Sequence, residues 1–139
     1  MSPTIFDHLP IPPVARLLGW QLVALDAAAG TIEVEFSAKQ DFTNPSGFVQ
    51  GGMIAAMLDD SLGPAAFAMT GGKRMTTTID LHLHYVRPVL PGRITTRARV
   101  VNLGARIAFL EGQLFDADGR LSAFATASAL LADYRPGAT

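Results

Sequence analysis

Residues 31 to 36 alternate strictly, with Thr31, Glu33 and Glu35 polar against Ile32, Val34 and Phe36 apolar. That period of two is the mark of a strand with one buried face. The preceding "WQLVALD" is also strand-like, and Gly30 stands where a turn is needed, so residues 20–38 are expected to form a β-hairpin. Upstream, Pro12 and Pro13 lead into "VARLLGW". Proline is tolerated in a helix's first turn, where its missing N–H would be unpaired anyway, so a short helix is expected from about 12 to 18, ending at Gly19. After the loop "KQDFTNPSGFVQ" the alternation stops. From Gly51 to about Thr70 the chain is rich in Ala, Met and Leu and is too long for a strand, so a helix is expected. Gly63 and Pro64 should kink it or end its regular part. "GGKR" reads as a turn, and four strand segments follow: "MTTTIDLHLHYVRP", "RITTRARVVNLG", "ARIAFLEGQLFDADG" and "RLSAFATASALLADYR". Each boundary carries Gly, Pro or Asp-Gly. The last segment contains "AFATASALLA", which helix propensity alone would also accept.

The order is therefore a hairpin, one long buried helix, and a four-stranded meander. That grouping predicts an α+β domain in which an antiparallel six-stranded sheet wraps around one long central helix. The 139 residues are read as a single domain, residues 1–139. A chain of that length buries roughly two-thirds of the surface it exposes when unfolded. With 49% hydrophobic and 17% charged residues, disorder is excluded.

Eleven basic and twelve acidic residues leave a formal charge of -1, which gives no footing for nucleic acid or an anionic membrane. The basic residues are unevenly spread, however: only Arg16 and Lys39 precede residue 70. The other nine fit solvated strand faces, or a few gathered around an anionic ligand. The absence of cysteine removes disulfides, thiolate nucleophiles and cysteine metal sites. An acid and four prolines occupy the first twenty residues, and no apolar run approaches 18 residues, so a soluble cytoplasmic protein is expected.

Within the long helix, Met53 to Leu58 is apolar all round, but Asp59 and Asp60 are not. Successive helix residues point about 100° apart, so at most one of them faces the apolar stripe's direction. Just upstream, "GFVQGG" places glycines at the helix start. Unpaired N–H groups there, with the helix dipole, can polarise a carbonyl or hold an oxyanion.

The stretch resembles the hotdog-fold acyl-CoA thioesterases, particularly the phenylacetate-catabolism group. That pattern is an Asn, a short loop, His-Gly-Gly at the helix start, and an acid eight residues past the first Gly. This chain has Asn44, then Gln50, Gly51 and Gly52, then Asp59. The likeness is specific at the helix and generic over the hairpin, "HYVRPVLPG" and the final strands. It implies that the Gly51 N–H polarises a thioester carbonyl while Asp59 acts as nucleophile or as general base for water. Asn44 would place that water or the carbonyl, and Thr78 matches a Ser or Thr near the acid. Gly52 and Phe48 join the expected substrate-binding residues. Asp60 has no catalytic counterpart and reads as structural or surface. The family's His is Gln50 here, which can hydrogen-bond but cannot titrate. That centres the mechanism on Asp59 and weakens a dehydratase reading.

Eight helix residues span about 12 Å, so Gly51 and Asp59 of one helix cannot both reach one carbonyl. A two-fold antiparallel dimer would bring Gly51 of one subunit to Asp59 of the other, and the resemblance also implies homodimers, often paired into tetramers. The expected activity is hydrolysis of an aryl or medium-chain acyl-CoA to the free acid and CoA. Coenzyme A is then part of the substrate, and no metal or redox cofactor is expected. The alternatives are a non-catalytic acyl-CoA binding module and a hotdog-fold dehydratase or isomerase.

Asp80, His82 and His84 share a strand face, where they read as surface or oligomer contact rather than metal ligands. Strict parity puts Thr78 on that same face unless a bulge turns it toward the helix. Arg87, Arg93 and Arg106 are candidates for the coenzyme A phosphates. Ser61 lacks a nucleophile-elbow context and reads as packing or a local hydrogen bond. Met53, Met57, Phe48, Leu62 and Phe67 are candidate acyl-pocket walls, with core packing as the simpler role.

Overall fold

The computed structural model describes residues 2–135. A short 3-10 turn, Ile5–His8, leads to helix α1, Pro13–Leu18, which Gly19 closes in a left-handed conformation at φ 73°. Strands β1, Gln21–Asp26, and β2, Thr31–Ala38, form the expected hairpin. Helix α2 spans Gly51–Met69. Strands β3, Arg74–Tyr85, β4, Gly92–Leu103, β5, Ile107–Phe115, and β6, Leu121–Asp133, complete one sheet.

The sheet is antiparallel throughout, in the order β1-β2-β4-β5-β6-β3. This corrects the expected four-stranded meander. Only β4, β5 and β6 follow one another; β3 pairs with β6 at the far edge, and β4 pairs with β2. The connection from β3 to β4, residues 86–91, carries Pro88 and Pro91 and buries Val89, whose carbonyl accepts from the Val49 N–H at 2.8 Å. Such a link is tied into the core and cannot make the tight turn that adjacent strands need. "AFATASALLA" is strand, because its odd positions Ala123, Ala125, Ala127 and Ala129 form a buried row of small side chains. That row leaves room for a helix to lie close.

Helix α2 packs against β2 to β6 through Ile54, Leu58, Leu62 and Ala65, all buried. A Cβ at Gly112 of β5 would stand 3.2 Å from Leu62 Cδ2, so a larger residue there would press on the helix and its side chains would have to yield by a few tenths of an ångström. Pro64 lies inside α2 and does not end it. A proline has no N–H for the carbonyl four residues earlier, that of Asp60. The Trp20 indole supplies the donor instead, at 2.9 Å from the Asp60 carbonyl. Phe6 packs on Trp20 with ring centres 5.3 Å apart, extending the support to the N-terminal segment.

Candidate active site

The β3–β6 register shifts between Thr78 and Asp80, leaving Ile79 as an extra residue. Before the bulge, Thr76 and Thr78 oppose the helix-facing Leu131 and Ala129; after it, Asp80, His82 and His84 oppose Ser128, Thr126 and Phe124 on the other face. The bulge therefore separates Thr78 from the polar row that simple parity assigns it to. Thr78 Oγ1 donates to Asp59 Oδ1 at 2.8 Å, which fixes one carboxylate oxygen and leaves the second for chemistry. Asp59 is half-buried.

At the other end of this helix segment, Gln50 is the N-cap residue and makes no side-chain cap. Its backbone N–H donates to the Phe42 carbonyl at 2.8 Å, which anchors the loop, while its side chain is exposed. Among the described residues, the N–H groups of Gly51 and Gly52 donate to nothing. They are the orphan donors of a helix start, and a Cβ at Gly52 would meet nothing within 4 Å. Asn44 is already engaged: its Oδ1 accepts from the Ser46 N–H at 3.0 Å and the Phe48 N–H at 3.1 Å. Its carbonyl oxygen thus shapes the 44–48 loop, and its amide group remains to donate. Phe48 lies half-buried in that loop.

One residue at this end was not singled out from the sequence. Tyr85, the last residue of β3, donates its phenol O–H to the Gly51 carbonyl at 2.8 Å. Alternation does put it on the helix face, with Leu81 and Leu83, but no local signal identifies Gly51 as its neighbour.

Asp60 is half-buried, and its Oδ2 is sealed from solvent without a hydrogen-bond partner among the described residues. Burial, reinforced by the charge of Asp59, pushes its carboxyl up from the ordinary 3.8 to about 6. An acid raised in this way binds its proton more tightly folded than unfolded. Asp60's contribution to stability should be full below about pH 4, fall between about 4 and 6, and stay reduced above that range. The displacement corresponds to at most about 3 kcal/mol, and solvent screening of a half-exposed side chain brings the expected effect to about 1 kcal/mol. Asp60→Asn should therefore raise the denaturation midpoint at pH 8 and leave it unchanged at pH 4. An equal shift at both pH values would rule out the ionisation cost.

The arginine candidates separate. Arg93 pairs with Glu35 at 3.2 Å on β4, three strands away from β3. Arg87 Nε donates to the Leu121 carbonyl at 3.2 Å. Arg106 is exposed in the β4–β5 turn, and among the described residues its guanidinium has no partner. Ser61 is buried, donating to the Met57 carbonyl at 2.8 Å and sharing a 2.6 Å hydrogen bond with Thr96 Oγ1. Met57, Leu62 and Phe67 are core residues, whereas Met53 is half-buried.

On the sheet's outer face, Asp80 accepts from the Ser128 N–H and Oγ, which lowers its carboxyl below the usual range. His82 and His84 contact each other there, and His84 stacks on Phe124. Among the described residues no group of three His, Asp or Glu side chains could hold a metal ion. A broad groove on this outer face, lined by Glu33, Arg97, Arg99, Glu111 and Phe124, contains none of Gly51, Asp59 or Thr78.

One long helix lies against an antiparallel six-stranded sheet, with an acid held by a threonine on that helix and unpaired amide donors at its start. Residues 46–123 match the model of the thioesterase superfamily, and the chain belongs to that family. A solved structure of a phenylacetic acid degradation-related protein from Ralstonia eutropha is 38% identical, with a TM-score of 0.79 over 88% of this chain and 92% of that one. Among named relatives, 1,4-dihydroxy-2-naphthoyl-CoA hydrolase of Escherichia coli is 28% identical over 97 residues, 69% of this chain and 68% of that one. Human acyl-coenzyme A thioesterase 13 is 28% identical over 110 residues, 78% of this chain and 77% of that one. No helix among the described residues is long and apolar enough to cross a membrane.

Proposed function

We propose that the protein hydrolyses an aryl or medium-chain acyl-CoA to the free acid and CoA, in the cytoplasm and without a metal or redox cofactor. The observation that carries this reading is the Thr78–Asp59 hydrogen bond, 2.8 Å long, on the same helix that presents the unpaired Gly51 N–H. Gly51 N–H polarises the thioester carbonyl, with Gly52 beside it, and Asp59 attacks the carbonyl carbon or deprotonates the water that does. Asn44 donates from its amide to that water or to the carbonyl. CoA leaves as thiolate, and where Asp59 itself attacks, water then cleaves the acyl–Asp59 anhydride to release the free acid and restore the carboxylate.

Gly51 and Asp59 of one helix stand about 12 Å apart, so each site takes Gly51 from one subunit and Asp59 from the other. Support for the homodimer comes from β3, a twelve-residue edge strand whose outer side pairs with nothing among the described residues and which exposes Met75, Ile79 and Tyr85. Exposed Phe109, Phe124 and Leu130 on the sheet's outer face suit further association into a dimer of dimers. Arg106, unpaired and exposed, is the first choice of the three arginines for the CoA phosphates.

The test is a panel of aryl, short-chain and long-chain acyl-CoAs with release of free thiol as the readout. Thiol release on at least one aryl or medium-chain member is expected. Binding without thiol release across the panel would make the protein an acyl-CoA binding module, and an altered acyl chain with the thioester intact would make it a dehydratase or isomerase.

A further inference from the structure

We propose that Tyr85 is a positioning residue of the thioester site: its phenol polarises the Gly51–Gly52 peptide, and its ring fixes the first turn of α2, so that the unpaired N–H groups meet one carbonyl oxygen. The inference rests on the thioesterase reading above and goes beyond it by adding a residue outside the Asn, Gln-Gly-Gly, Asp and Thr positions.

Three observations carry it. The phenol donates to the Gly51 carbonyl at 2.8 Å. That carbonyl and the Gly52 N–H belong to the same peptide unit, and a hydrogen bond to one end of a peptide strengthens the donor at the other. Tyr85 thus acts on the Gly52 N–H, which has no other partner among the described residues. Secondly, a Cβ at Gly51 would lie 3.3 Å from Tyr85 Cζ, so the ring lies directly against the helix start. Backbone donors are most effective when they need not reorganise as the oxyanion forms, and a ring in contact with the first helical residue holds that turn in place. Thirdly, Tyr85 is 53% exposed although its hydroxyl is satisfied. Tyr85 is therefore not a buried core aromatic. It lies where the helix start opens to solvent, on the strand whose free edge a second subunit would extend.

The reaction itself transfers no atom through Tyr85. The phenol keeps its proton and bonds more strongly to the Gly51 carbonyl as negative charge builds on the substrate oxygen at the Gly52 N–H. Its effect therefore belongs to the transition state and should fall on kcat more than on KM.

The experiment compares wild type, Tyr85→Phe, Asp59→Asn and the Asp59→Asn/Tyr85→Phe double variant, using phenylacetyl-CoA carrying 13C at the thioester carbonyl. Tyr85→Phe keeps the ring and removes only the hydroxyl. We expect kcat to fall about five- to tenfold, with KM within twofold and the thermal midpoint unchanged. In the Asp59→Asn background the bound carbonyl stretch should be displaced to lower frequency than in solution, and adding Tyr85→Phe should reduce that displacement. Wild-type kcat together with an unreduced carbonyl displacement in Tyr85→Phe would overturn the proposal while leaving the thioesterase reading intact. A loss of kcat matched by a lower thermal midpoint, with the carbonyl stretch unaltered, would overturn it as well, showing a purely structural role. Failure of the labelled thioester to bind or to be hydrolysed by wild type, in a panel negative for every other acyl-CoA, would overturn the thioesterase reading itself.

Discussion

Asp59→Asn is expected to lower turnover by roughly 10²- to 10⁴-fold while the protein keeps its fold and its state of assembly. Asparagine has nearly the same shape, and its Oδ1 can accept the Thr78 hydroxyl bond that measures 2.8 Å in the native chain. What it loses is the charge, and with it the capacity to attack a carbonyl or take a proton from water. The neighbouring acid cannot substitute. Asp60 points about 100° away around the helix, its Oδ2 is sealed, and burial holds its proton to about pH 6. Steady-state kinetics on the best acyl-CoA of the panel, with size-exclusion chromatography as the control for assembly, measures the effect. Turnover equal to wild type would remove Asp59 from the mechanism.

Gly51→Pro should cost roughly 10²- to 10³-fold in kcat, the usual effect of removing one oxyanion donor. The substitution deletes the N–H at a position that proline otherwise favours. Gly51 is the first residue of α2, where proline fits the helix. Gln50 before it has φ -56° and ψ 137°, the extended conformation that a residue ahead of proline adopts. The nearest atoms to the new Cβ belong to the Tyr85 ring, 3.3 Å away, which must yield by a few tenths of an ångström.

The two variants also test the shared site. If each site draws Gly51 from one subunit and Asp59 from the other, a mixed dimer of Gly51→Pro and Asp59→Asn chains has one site with both defects and one with neither. Co-expressed chains should recover about a quarter of wild-type activity, from the statistical half of dimers that are mixed. Recovery no greater than the sum of the two variants alone would place both groups in one subunit.

The Thr31 to Phe36 alternation, the apolar run after Gly51 and the Gly19 and Gly30 turns identify their elements because the signal lies within a few residues. Sheet order does not. Whether β3 meets β4 or β6 depends on the 86–91 link being tied into the core by Val89, a contact with Val49 some forty residues earlier. The Asn44, Gly51 and Asp59 spacing was legible as a pattern. Thr78 was legible only as a position in that pattern, since parity pointed it away from Asp59 and a single inserted residue, Ile79, reversed the outcome. Tyr85 and the sealed oxygen of Asp60 were not legible, because each depends on which distant residues the fold brings beside it.

The Trp20 contact has an optical consequence. Trp20 is the chain's single tryptophan, and its indole N–H is bound to the carbonyl of Asp60, one residue along the helix from Asp59. Indole emission responds to the strength of that bond and to water reaching the ring. The carbonyl that Pro64 leaves unpaired therefore couples an intrinsic fluorophore to the helix carrying Asp59, and any shift of that helix on ligand binding has a native, label-free signal.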